Sequence, residues 1–73
     1  MLKIKKIIND NSISKYALAD IINVTKLSFD NKIAGRRDFT IRELELIKNY
    51  LVLRKIINED FDIGEFLDEV KED

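Results

Sequence analysis

Apolar positions along this chain fall into short helical stripes. Leu2, Ile4, Ile7 and Ile8 contain an i, i+3, i+4 set, which predicts a first helix from about Leu2 to Asn9. Asn9-Asp10-Asn11-Ser12 is then a polar break of turn-favouring residues. Ser14 is a good N-cap for a second helix, about Lys15 to Ile22, with Leu18, Ile21 and Ile22 inward. Asn23 tolerates the left-handed backbone that ends a helix and starts a tight turn, and Val24 plugs that turn. Thr25 caps a third helix, about Lys26 to Ala34, and Gly35 stands at its C′ position. Thr40-Ile41-Arg42-Glu43 fits the capping-box pattern and opens a fourth helix with Leu44, Ile47 and Leu51 on one face. Nothing between Leu53 and Ile57 breaks it strongly, so Asn58-Glu59-Asp60 is the expected stop. A last helix, about Asp62 to Val70, carries Ile63, Phe66, Leu67 and Val70 as an apolar stripe. The expected fold is all-α: a single domain over residues 1–73, a compact bundle of about five short helices.

Composition narrows the function. The 73 residues hold no Cys, His or Pro and only two Gly. Disulfides, thiolate chemistry and the commonest acid/base and metal ligand are excluded, which argues against an enzyme and against a metal or cofactor site. No apolar run approaches the roughly 18 residues of a membrane span. The net charge of −1 hides an asymmetry. Residues 1–42 carry nine Lys and Arg against four acids, and residues 43–73 carry four against ten. The halves are +5 and −6, so the first half is the one expected to meet an anion.

Helix 3 carries the candidate chemistry. At about 100° per residue, Phe29 and Ile33 form its buried stripe. The outward face then reads Leu27, Asp30, Asn31 and Ala34, with Lys26 at the N-terminal edge. A solvated face is usually rich in Glu and Lys, whereas this one is short-chained and bears an apolar Leu. It suits a major groove: Asn pairs with adenine, an apolar group meets a thymine methyl, and Asp accepts from cytosine. The ordinary alternative is a helical hairpin whose Leu27 packs on a neighbouring element.

Ser14–Arg37 resembles the helix-turn-helix of the phage repressor and Cro-type regulators, the lambda-repressor-like domains. The matching residues are Leu18-Ala19, Ile22, Val24, Thr25, Phe29 and Gly35, followed by a basic pair, Asp38-Phe39-Thr40, and the helix with Glu43, Leu44 and Ile47. The resemblance covers about residues 2–53. It places a helix-turn-helix at 14–35 with its recognition helix at about 26–34. Two departures stand out: Asn23 replaces the usual turn glycine, and Lys32 stands where an apolar residue is more common.

By resemblance, base contacts come from Lys26, Leu27, Asp30 and Asn31. Phosphate contacts come from Lys15, Thr25, Arg36, Arg37 and Thr40. Helix N-termini present unpaired N–H groups to phosphates, and Ser14, Thr25 and Thr40 mark such ends. The resemblance implies a double-stranded DNA operator in a phage or mobile-element genetic switch, inside the cytoplasm of a bacterial host cell. It also implies a homodimer on half-sites roughly 34 Å apart.

Residues 59–73 hold eight acids against Lys71, which DNA repels. This segment is either a solvated face or a protein-contact element. In the second case Phe61, Ile63, Phe66, Leu67 and Val70 are the candidate interface, and removing 59–73 is expected to leave a monomer. Leu27 is a further candidate for protein contact. An alternative function follows: a helix-turn-helix modulator or antirepressor that binds a cognate phage repressor protein.

Overall fold

Each helix stops in the same way. In the computed structural model, which describes residues 1–71, the helices are α1 (Lys3–Asp10), α2 (Lys15–Ile21), α3 (Lys26–Ile33) and α4 (Ile41–Leu53). The residue two places after each last helical residue is left-handed: Ser12 (φ 52°), Asn23 (φ 59°), Gly35 (φ 83°) and Lys55 (φ 60°). Each such residue donates its N–H to a carbonyl three residues back, and the next residue donates five back. These pairs are Ser12 to Asn9 and Ile13 to Ile8, Asn23 to Asp20 and Val24 to Ala19, Gly35 to Lys32 and Arg36 to Asn31, and Lys55 to Val52 and Ile56 to Leu51. This Schellman pattern satisfies carbonyls that a helix end leaves without partners. Ile13, Val24 and Ile56 follow three of these stops and pack on the core. Arg36 follows the fourth.

The starts of α2, α3 and α4 are capped by the expected side chains. Ser14 Oγ accepts from the Ala17 N–H at 3.3 Å, and Thr25 Oγ1 from Ser28 at 3.1 Å. Thr40 and Glu43 form a complete capping box. Observed and expected boundaries of the first three helices differ by one residue at most. Ile4, Ile8, Leu18, Ala19, Ile22, Phe29, Ile33, Leu44, Ile47 and Leu51 fill one core, with Phe39 set edge-on to Phe29 at 6.1 Å. Ile7 and Ile21 lie only partly within it.

Three expectations fail beyond Leu53. The fourth helix ends there and not at 58–60, because Lys55 takes the left-handed conformation while Ile56 turns in against the core. The expected helix from Asp62 to Val70 is a five-residue 3₁₀ turn, Ile63–Leu67, with Asp62 capping the Gly64 N–H at 2.9 Å. It cannot continue, because the next residues pair with the start of the chain. Lys3 N–H donates to the Asp68 carbonyl at 2.8 Å, and Val70 N–H to the Met1 carbonyl at 2.8 Å. Leu2 and Glu69 form an isolated antiparallel bridge. Phe66, expected in a protein interface, is wholly buried and packs at a tilt against Phe61, 4.7 Å between centroids. Removing 59–73 therefore strips the core and does not test a dimer. Phe61 and Ile63 also pack on the core, Leu67 is exposed, and Val70 is half-buried. Glu72 and Asp73 of the acidic segment lie outside the described residues.

The acidic segment also consumes part of the basic half's charge. Glu69 lies 3.3 Å from the Met1 ammonium, and Glu65 lies 3.8 Å from Lys3. Lys32 crosses to Glu43 at 3.0 Å. Of the nine Lys and Arg in residues 1–42, Lys3 and Lys32 are thus paired with acids of the other half, which lowers the +5 of the sequence arithmetic to about +3. Among the described residues, no helix is long and apolar enough to cross a membrane.

Candidate nucleic-acid interface

The candidate residues converge on one surface built from α2, α3 and the loop after Gly35. Lys15 begins α2 and Lys26 begins α3, so both project from helix N-termini. Asp30, one turn along α3, links them: Lys15 Nζ lies 3.8 Å from its Oδ1, and Lys26 Nζ lies 3.9 Å from its Oδ2. Lys26 also sits over the exposed Tyr16 ring, 4.9 Å from its centroid. Sequence reasoning passed over Tyr16; the signal was an aromatic on the polar side of α2.

Leu27 is 72% exposed, so it does not pack on a neighbouring element. The face around it is open, with Ala34 exposed and Asn31 half-buried. Asn31 has a partner that sequence reasoning did not supply: Arg36 Nε donates to its Oδ1 at 2.9 Å. Helix geometry explains the pairing. Gly35 is the C′ residue of α3, which brings the residue after it back over Asn31. At the other three helix stops that following residue is apolar. Here the position holds a polar pair with its guanidinium turned outward. Asn31 offers adenine both its atoms only if Arg36 lets go; otherwise the pair acts as one unit. Arg37 is exposed and, among the described residues, has no ion-pair partner.

The Thr25 hydroxyl oxygen accepts from the Ser28 N–H at the start of α3. Thr40 is more committed. Its hydroxyl accepts from the Glu43 N–H at 3.1 Å, and its own N–H donates to the Glu43 carboxylate at 2.9 Å. Burial would push the Glu43 carboxyl up. The hydrogen bond from the Thr40 N–H, then the hydrogen bond and charge of Lys32, outweigh it and hold the group below its ordinary value. Lys32 also donates to the Asp38 carbonyl at 2.9 Å. Lys32 is thus a tie between α3 and α4, and its charge is used there. Its neighbour Ile33 keeps the buried stripe in register, so the outward face stays as the wheel placed it.

A second surface lies on the outer side of α4. A groove of 820 Å³ runs between α4 and residues 59–63, with Val52, Leu53, Phe61 and Ile63 against Glu45, Glu59, Asp62 and Lys48. Leu53 there is 82% exposed. Its acidic rim does not suit a nucleic acid. Among the described residues, no cluster of three or more acidic side chains could hold a metal ion. No family model matches this chain, and no curated protein and no solved structure matches it.

Proposed function

We propose that α2, the turn at Asn23 and α3 form a helix-turn-helix that binds double-stranded DNA, and that the chain is a Cro-like transcriptional regulator of a phage or mobile-element switch. The observation that carries this is the Asn31–Arg36 pair. Three helix stops of one kind are sealed by apolar residues, and the fourth exposes an Asn–Arg pair at the end of α3, beside the exposed Leu27. A polar exception to a local rule, placed on a free surface, marks function more often than folding. Leu27, Asp30 and the Asn31–Arg36 unit read base edges. Lys15, Lys26, Thr25, Arg36 and Arg37 flank them and take phosphates.

Selection from a random duplex pool tests the reading. One sequence motif is expected to be enriched, and Asn31→Ala is expected to relax one position by about 1–3 kcal/mol. Binding that stays sequence-blind at moderate salt would contradict it. The exposure of Leu27 also favours a second reading, a modulator that joins a cognate repressor through α3. In that case Leu27→Asp abolishes co-elution with the repressor, and DNA selection enriches nothing.

A further inference from the structure

Asp30 is a half-buried carboxylate whose two oxygens differ, with about a third of the side chain exposed. Its Oδ1 is closed off from solvent and accepts no hydrogen bond. Its two lysines stand at 3.8 and 3.9 Å, beyond hydrogen-bond length. A phosphate oxygen takes an ammonium at about 2.7–2.9 Å, so a DNA backbone competes well for either lysine. The exchange leaves Asp30 worse off, because a shielded carboxylate oxygen without a donor is unfavourable.

We infer that Asp30 is a specificity-determining residue: it holds Lys15 and Lys26 against its own carboxylate and withholds both cations from sequence-blind phosphate binding. The inference rests on reading α3 as the recognition helix. On an arbitrary duplex, drawing the lysines away strands Asp30, and a salt cation must be taken up to neutralise it. On the correct duplex, an exocyclic amino group of cytosine in the major groove donates to Asp30 and replaces the lysines. The same residue therefore weakens the wrong complex and leaves the right one intact.

The test is a salt titration of a fluorescent random-sequence duplex, read by anisotropy, for the native chain, Asp30→Asn and Asp60→Asn. Asp60 is exposed and far along the chain from α3, so its variant matches the charge change alone. Asp30→Asn is expected to steepen the log–log salt slope by about one, which adds about fourfold to the affinity change over a fourfold salt range. Asp60→Asn is expected to follow the native chain. Asp30→Ala frees the same lysines without introducing an amide and is expected to repeat the result. If the native chain binds duplex and all the variants superimpose, the inference falls while the DNA reading stands. A native chain that binds no duplex at low salt overturns both.

Discussion

Residues 14–37 and residues 54–71 are built on different principles. In the first stretch each turn has a local cause: Ser14 and Thr25 cap, Asn23 and Gly35 turn left-handed, and Phe29 and Ile33 face inward. In the second, Lys55 adopts a conformation its own side chain disfavours, and the residues after Leu67 lie extended because Met1 and Lys3 are there to pair with them. A locally determined stretch can vary its outer face without losing its fold. That is the freedom a recognition surface needs. A segment held by tertiary contact has no such freedom at Phe66.

The comparison can be broken most severely at Phe66. Phe66→Ala should cost about 3–5 kcal/mol, a large share of the stability of so small a domain, read by urea unfolding. Leu27→Ala, on the open face, should leave the midpoint nearly unchanged. If the two substitutions were equal in effect, the tail would be an appendage.

The link between the halves comes next. Glu43→Gln weakens the bond from Lys32 and should cost about 1.5–3 kcal/mol near neutral pH. Because the folded carboxyl titrates below its ordinary 4.5, its contribution is present above that value and is lost as pH falls through the folded one. Native and variant midpoints should therefore converge in acid. A gap that is constant with pH would remove the ion pair from the account.

The smallest effects separate local from imposed turns. Gly35→Ala meets only Leu2 Cδ1 at 3.9 Å, so its cost is conformational, about 1–2 kcal/mol. Lys55→Gly relieves the same strain and should raise stability by about 1 kcal/mol. Opposite signs at two equivalent helix stops would sharpen the distinction, and equal signs would erase it.

Legibility in the sequence follows the same division. The caps, the Asn23 turn and the α3 stripe could be read because propensity and packing agree there. The Asn31–Arg36 pair was within reach, since Gly35 as the C′ residue places 36 over 31. The Lys15–Asp30–Lys26 arrangement was not: it needs the crossing of α2 on α3, which no spacing encodes. The end of α4 was missed because Lys55 gives no signal at all, and only Ile56 reaching the core explains the stop. The last helix was misread because the Ile63–Phe66 spacing of three suits a 3₁₀ turn as well as a helix, while Leu67, which would complete the helical stripe, is exposed.

The central claim is that the surface around α3 meets a DNA backbone, with Arg36 and Arg37 beside it. Its most direct test is the salt dependence of duplex binding by the native chain and by the Arg36→Ala, Arg37→Ala double variant. The account predicts weaker binding on every sequence and a log–log slope shallower by about two. An unchanged slope and affinity would contradict it.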